Sequence, residues 1–393
     1  MLRVLSLSTL FPNPANRSLG PFVASSMQAV AAGGDVDLVM VNPIGVPPWP
    51  LSRHGRYAAV RTVGDQSQLG DLTVHHPRYR LIPRVGAQSN PARIARTVLP
   101  LARSLHAQRP FDLVDAQFFF PDGPAAARIA AALNLPLTIK ARGADIHHWG
   151  RQAKSGPQVL AAARQAAALL AVSEALKADM VALGMPGERI VVHYTGLDHT
   201  RFHPRDRRDA RAQVAAEFGV PADGPLLITT GALIPRKGQR FVIEALPDLP
   251  GVRLVLAGKG EEEASLRSLA DAIGVADRVH FLGQVGHDAL PRLLSAANAM
   301  VLPSSSEGLA NAWVEALACG TPIVITDSGG ARELVCEASA GRVVERNAPA
   351  IAAAVRDLLA ESPLQAEVAK NAARFSWQAN AEALVAFWRR VAG

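Results

Sequence analysis

Short runs of consecutive apolar residues alternate, along the whole chain, with longer stretches whose apolar positions recur every three or four residues. In the first half the runs are LRVLSLS, VDLVMVN, FDLVDAQF, LPLTIKA, ALLAVS and RIVVHY. Each is short and nearly all apolar, which predicts strands covered on both faces. The intervening stretches predict helices over 20–32, 91–108, 123–133, 158–168 and 174–183. A second series follows: PLLITTG, VRLVLAG, VHFLG, AMVLPSS, PIVITD and GRVVE, with helices over 238–245, 261–273, 288–296, 311–318, 331–335 and 350–360. A last helix is predicted over 377–391. Alternating strand and helix indicate α/β architecture with parallel sheets. Between the two series, DHTRFHPRDRRD is polar and broken by proline, which places a domain boundary near residue 200. The expected domains are 1–200 and 201–375.

The densest candidate chemistry lies in SSSEGLANAWVEALACGTPIVITDSGGARE, where Glu307 and Glu315 stand with seven residues between them. An apolar strand leads into a polar loop, and a helix follows Gly308, Leu309 and Ala310. The first turn of a helix offers unpaired amides and the positive end of a dipole, which suits phosphate. Carboxylates on either side of that turn, with Asn311 at its start, can accept hydrogen bonds from sugar and ribose hydroxyls. That combination is the chemistry of a nucleotide-sugar site.

This block resembles the Glu-x7-Glu signature of glycosyltransferase family 4, whose members are retaining enzymes with the GT-B fold. The resemblance runs from about Arg3 to about Trp388. It implies two Rossmann-like domains with parallel sheets facing a central cleft, a nucleoside-diphosphate-sugar donor on the second domain, and a C-terminal helix, 376–393, that completes the first. In the first half, STLFPNP and ARGADIHHW resemble a branch that builds bacterial cell-surface polysaccharides. The implied reaction moves a sugar to a hydroxyl of a saccharide, expected to be lipid-linked. Glu307 would orient the donor sugar and Glu315 the ribose.

Two further loops follow strands of the second series. TTGALIPRKG places Gly231, Arg236 and Lys237 where ligands bind at the carboxyl edge of a parallel sheet. The family carries an Arg and a Lys on the diphosphate. Lys237 matches the Lys, Ala232 stands where the Arg is usual, and Arg236 is the candidate replacement. LVLAGKGEEEASL supplies Gly258 and Gly260, which would let backbone approach a ligand, and three glutamates read as a solvated helix start. On the acceptor side the candidates are Gly20, Gln117, Asp122, Arg142 and Asp145, all after strands. Much of the family has His-Gly where this chain has Arg142-Gly143, which points to a phosphate or acidic acceptor. The alternative is that Arg142 and Asp145 pair across their loop.

A metal is not expected. The one Asp-x-Asp, Asp35 and Asp37, precedes a strand rather than following it, His147 and His148 are adjacent and diverge, and helix termini with Lys237 can neutralise a diphosphate. No cofactor beyond the donor substrate is implied.

Charge adds one feature. Of 393 residues, 49% are hydrophobic and 19% charged, as in an ordered globular protein, and the net charge is +7. Residues 51–109 hold ten Arg and two Asp, so the excess is concentrated there. This segment, with a helix carrying Ile94, Val98, Leu101 and Leu105 on one face, is a candidate for contact with an anionic membrane. An ordinary helix packed on its sheet is the alternative. Nucleic-acid binding is disfavoured, because no recognition motif accompanies the charge. Two cysteines exclude a disulfide framework and suit a reducing compartment, hence a cytoplasmic protein at or near the inner membrane face. MLRVLSLSTLFP reads as a first buried strand rather than a leader. A nucleotide-sugar epimerase of related architecture and a non-catalytic binding protein remain alternatives. The sugar, base, acceptor and linkage are not legible.

Overall fold

The computed structural model describes residues 1–83 and 86–393, and the side chains of these except that of Arg56. Arg84, one of the ten arginines above, lies outside the described residues. The chain divides into two compact units, Met1–Gly196 with Trp377–Gly393, and Leu197–Ser376.

The first unit contains β1 (Leu2–Leu7), β2 (Val36–Val41), β3 (Ile44–Val46), β4 (Gln66–Leu69), β5 (Leu72–His75), β6 (Arg78–Arg80), β7 (Leu113–Ala116), β8 (Leu137–Ala141), β9 (Ala168–Ala171) and β10 (Ile190–Val192). Eight of them form one sheet in the order β10-β9-β8-β7-β1-β2-β5-β4, parallel except for the β4–β5 pair. β3 and β6 form a separate parallel pair. The order reverses between β1 and β7, so the loops leaving these two strands diverge to opposite faces and leave a crevice. The core joins Val4, Phe11, Val23, Met27 and Met40 to Leu384, Phe387 and Trp388 of the helix Trp377–Ala392. That helix is amphipathic, and its apolar stripe is buried on this unit.

The second unit holds β11 (Leu226–Thr230), β12 (Arg253–Ala257), β13 (Val279–Gly283), β14 (Ala299–Leu302), β15 (Ile323–Thr326) and β16 (Gly341–Val344). The sheet order is β13-β12-β11-β14-β15-β16, all parallel, with its reversal between β11 and β14. Leu227, Leu254, Leu256, Val301 and Val324 meet helix residues Val242, Leu266 and Val355 in its core.

Several elements differ from the sequence expectation. The helix expected over 158–168 is Gly156–Gln165, and Ala168 already belongs to β9. The helices Arg56–Arg61, Arg207–Phe218 and Gln365–Lys370 and the short strands β3 to β6 were not anticipated. QSQL in β4 has no apolar alternation to signal it; cross-strand pairing with β5 makes it a strand. Arg207–Phe218 did carry a signal: the Asp206 side chain accepts from the amide of Asp209, 2.9 Å away, and Gly219 closes the helix in the left-handed region at φ 68°. The helix Asn90–Gln108 buries Ile94, Val98 and Ala102. These residues of its apolar face pack on the core, while Leu101 and Leu105 are half-buried. Among the described residues no helix is long and apolar enough to cross a membrane.

Candidate functional site

Four loops of the second unit leave the carboxyl ends of β11, β12, β14 and β15, and two of them flank the order reversal. From β11 comes the turn Pro235–Lys237, and from β14 the loop holding Glu307. Here Lys237 Nζ donates to Glu307 Oε1 at 2.5 Å, and Arg236 Nη1 lies 3.1 Å from the same oxygen. Glu307 is buried, so its charge is matched by two cations rather than by water. Arg236 also donates to the carbonyl of Ser306. The three residues predicted as catalytic are thus brought together.

The helix Asn311–Ala318 opens directly behind this cluster. Ala310 stands at its cap position with no side-chain cap hydrogen bond, so no capping side chain competes for the amides of Asn311 and Ala312, while that of Trp313 donates to Ala310 O at 3.0 Å. Gly308, Leu309 and Ala310 are buried in the loop that leads to it. Glu315 lies one turn into the helix and is half-buried. Burial pushes its carboxyl up to about 7, with Arg201 pulling the other way.

Buried polar atoms gather at the same edge of the sheet. Thr230 Oγ1 at the end of β11, and Ser304 Oγ and Ser328 Oγ just past β14 and β15, have no hydrogen-bond partner among the described residues. Buried polar atoms are nearly always paired, so orphans at one edge mark where a polar ligand or water belongs. None of these three was singled out in the sequence.

Two of the glycines lie against a neighbouring loop. A Cβ on Gly258 would overlap the Gly231 carbonyl oxygen, and one on Gly260 would overlap that of Leu233. Leu233 N donates to Lys259 O at 3.0 Å, so the loops after β11 and β12 run together. Gly258 and Gly260 thus admit the neighbouring loop. Gly231, at φ 130°, has only the far end of Lys237 near its missing side chain. Glu263 begins its helix and pairs with Arg267 at 2.9 Å. Arg346 is a positioning residue that the sequence did not reveal. Its Nε donates to Pro303 O at 2.8 Å and its Nη2 to Pro235 O at 2.7 Å, tying together the loops that carry Glu307 and Lys237. The one visible signal was its place just past the strand GRVVE.

On the first unit, the acceptor-side candidates surround the other reversal point. Gly20 caps the helix Pro21–Ala32 at φ 61°, where a side chain would overlap Leu10 O. Asp122 Oδ2 accepts from Thr9 N at 2.8 Å, and burial pushes its carboxyl up to about 7. Arg142 does not pair with Asp145 through its side chain. Asp145 instead accepts from the amides of Phe119 (2.9 Å), Arg142 (3.0 Å) and Gly143 (2.8 Å), pinning the loops after β7 and β8. The Arg142 guanidinium donates from Nε to Gln117 O and from Nη2 to Gln117 Oε1, both at 2.7 Å, and lies 4.9 Å from the Phe22 ring centre. Gln117 in turn donates to buried Asp115 at 2.8 Å, which also accepts from Ser6, Thr138 and Trp388. One edge of Arg142 is fixed by protein, and burial lowers its pKa to about 10.

The residues considered for metal are engaged elsewhere. Asp37 lies 2.9 Å from Arg3 Nε and 2.8 Å from Arg109 Nη1, and His147 Nε2 is 2.8 Å from Asp179.

Two family models match this chain: "Glycosyltransferase Family 4" over residues 30–201 and "Glycosyl transferases group 1" over 211–375. The chain belongs to glycosyltransferase family 4. D-inositol 3-phosphate glycosyltransferase of Mycobacterium tuberculosis is 36% identical over 225 residues, covering 53% of this chain and 45% of that protein. The match thus spans about half the length of these curated relatives. Among solved structures, sucrose-phosphate synthase from Thermosynechococcus elongatus superposes with a TM-score of 0.78 at 21% identity, over 99% of both chains. Anabaena HepE, solved with UDP-glucose, gives 0.72 at 19%, over 99% of this chain and 100% of that one. At these identities the likeness is one of fold. The units of this family 4 chain have the α/β architecture of GT-B glycosyltransferases.

Glu315 makes a separate prediction. A half-buried acid whose folded pKa is raised from 4.5 to about 7 destabilises the fold as it ionises. The penalty is absent below the unfolded value and fully present above about pH 7. Glu315→Gln is therefore expected to raise Tm at pH 8 and leave it unchanged at pH 4, measured by calorimetry at both values.

Proposed function

We propose that the protein is a retaining glycosyltransferase that moves a sugar from a nucleoside-diphosphate donor to a hydroxyl of a saccharide. The observation that carries the reading is the cluster at the β11/β14 reversal: Lys237 and Arg236 on Glu307, unpaired polar atoms beside it, and an uncapped helix start behind it. UDP-glucose in the solved HepE structure supports a sugar nucleotide as the ligand class.

In this reading the donor binds the second unit (201–375 by its sequence limits) and the acceptor the first. Lys237 has three ammonium protons and gives one to Glu307, which leaves donors for the diphosphate. Arg236 and the amides before Asn311 add to the charge stabilisation as the diphosphate departs. Glu307 receives hydroxyls of the donor sugar, Glu315 those of the ribose, and Gly231 leaves room for the phosphates. The acceptor attacks on the face that the leaving group vacates, with no protein nucleophile, so configuration is retained. Arg142, fixed along one edge by Gln117, offers its remaining donors to an anionic group of the acceptor, and Gly20, Asp122 and Asp145 shape that loop set. The acceptor is a lipid-linked saccharide of a bacterial surface polymer, met at the inner face of the membrane.

The test combines binding and turnover. A ligand present at a hundredfold over its Kd stabilises a protein by about 2.7 kcal/mol, so the matching UDP- or GDP-sugar raises Tm by several degrees in a thermal-shift screen. Donor incubated alone gives at most slow hydrolysis. Adding acceptor gives a new glycoside, and EDTA leaves the rate unchanged, since Lys237 and the helix start do the work of a cation. A new sugar nucleotide from donor alone would establish an epimerase instead, and absence of any nucleotide binding would leave a non-catalytic protein.

A further inference from the structure

The amino edge of the second sheet, a strand's length from the donor cluster, gathers cations that the proposed reaction does not use. The helix Arg207–Phe218 opens on RRDAR, and the three- and four-residue spacings put Arg207, Arg208 and Arg211 on one face. With Ala212, Ala222 and Asp223 they line an open cavity of about 560 Å³. Small-ligand sites are typically roughly 300–1,000 Å³. Arg211 is built into the protein: Nε donates to Ala296 O at 2.9 Å, Nη1 to Gly224 O at 2.6 Å and Nη2 to Asn298 Oδ1 at 2.5 Å. Those acceptors precede β14 and β11, so the cavity is fixed to the amino ends of these strands. Arg207 Nε is buried with no hydrogen-bond partner among the described residues, and Arg208 is exposed. The carboxylate on the lining, Asp223, stands 3.2 Å from Arg253. Asp206 and Asp209 are exposed beside the arginines, and Asp206 caps the helix by accepting from the Asp209 amide. Burial lowers the Arg207 pKa and Arg211 lowers it further; Arg211 is lowered by burial and by Arg253, against Asp223. Guanidinium groups gathered in this way repel one another, and an anion among them relieves the repulsion.

We infer that the cavity lined by Arg207, Arg208 and Arg211 is a second binding site, for a small phosphate-bearing anion. A guanidinium presents parallel N–H donors that match phosphate oxygens, so arginine suits this task better than lysine. Arg207 and Arg208 supply those donors, while Arg211, whose nitrogens are held by protein, supplies charge. The cavity also has room for the organic part of a phosphate ester, which makes a sugar phosphate the expected form and inorganic phosphate the smaller one. Lys237 and Glu307 follow the carboxyl ends of β11 and β14, and this cavity lies at their amino ends. The two sites therefore do not overlap, and this one does not depend on the donor reading.

The experiment is calorimetric titration of the full chain with glucose 6-phosphate and with inorganic phosphate, at ionic strength matched by sodium chloride. Binding is expected in the wild type and in Lys237→Ala alike. Arg207→Gln with Arg208→Gln is expected to weaken it about tenfold or more, the scale of losing charge-assisted hydrogen bonds. Arg208→Gln alone, at an exposed position that leaves folding intact, is expected to weaken it about fivefold. Arg103→Gln with Arg128→Gln removes the same charge from exposed positions of the first unit and should leave the affinity unchanged. The Tm gain given by the matching nucleotide sugar should be the same in all the arginine variants. Absence of binding beyond that seen with chloride overturns the inference. So does loss of binding in Lys237→Ala, which would put the phosphate in the donor site. So does equal weakening by the Arg103 and Arg128 pair, which would make the effect a general attraction to a basic protein. Tighter binding of glucose 6-phosphate makes the ligand a sugar phosphate, and equal binding makes it the ion itself; either keeps the site. Phosphate binding with this pattern in a protein that binds no nucleotide sugar would keep this site and remove the donor reading.

Discussion

Lys237→Ala and Glu307→Ala are each expected to lower turnover with the matching donor at least ~100-fold, the scale of losing one preorganised polar contact to a developing charge. The two variants fail for different reasons. Without Lys237, Glu307 keeps only Arg236 at 3.1 Å, and the leaving diphosphate loses its compact cation. Without Glu307, both cations remain in place, but the donor sugar loses its acceptor of hydroxyl hydrogen bonds. Lys237→Ala should therefore depress kcat most, because departing charge builds up only in the transition state. Glu307→Ala should raise the donor KM as well. Lys237→Arg keeps the charge and is expected to restore only part of the rate, since a planar fork does not occupy the place of an ammonium. Steady-state kinetics with a radiolabelled donor measures all three. Near-wild-type turnover in both alanine variants would remove the site assignment.

Gly329→Ala is expected to cost both stability and donor affinity. Gly329 sits at φ 52°, and a Cβ there would overlap the carbonyl oxygens of Glu307 and Gly308. The next residue, Gly330, donates its amide to Gly308 O at 2.7 Å, so this loop is the floor beneath the carboxylate. The added methyl must push the Glu307–Gly308 peptide off its place. The expected cost is 1–3 kcal/mol of stability, in the usual range for overpacking, together with a loss of tenfold or more in donor affinity. Gly274→Ala is the control. It has a similar positive φ, 71°, but nothing within 4 Å of the added atom. It should show backbone strain of about 1 kcal/mol and normal donor binding. Denaturant unfolding and calorimetric titration of both variants separate strain from displacement of the carboxylate. Equal donor affinity in the two would mean that Gly329 does not support Glu307.

The contrast between legible and illegible parts follows particular residues. AMVLP, PIVITD and LRVLSLS could be recognised as buried strands because continuous apolar runs have no other economical use. Glu307 and Glu315 could be recognised because their spacing straddles a strand, loop and helix whose local chemistry is complete within thirty residues. By contrast, Asp115 lies inside the run FDLVDAQF and gives no outward sign of its role. Four donors drawn from β1, the loop after β7, β8 and the C-terminal helix decide that it is a buried anchor for Gln117 and, through it, Arg142. The same is true of Arg142 itself. Two residues separate it from Asp145, which makes an ion pair the natural guess, but Asp145 is consumed by backbone amides from two loops.

By itself the amino-acid order determined the alternation of strand and helix, the two successive series, and the segments that carry the candidate site residues. These are local matters: periodicity, turn residues and helix ends act over a few positions at a time. Only the tertiary structure decided that Lys237 grips Glu307 across seventy positions of chain, that Arg346 ties their loops together, and that Gly258 and Gly260 yield space to a neighbouring loop. It also buried Ile94 and Val98 of Asn90–Gln108 and left Trp49 and Leu51 outside. Strand order is the physical reason. Which loops become neighbours depends on where a parallel sheet reverses, and that is set by the packing of the whole unit rather than by any one stretch of it.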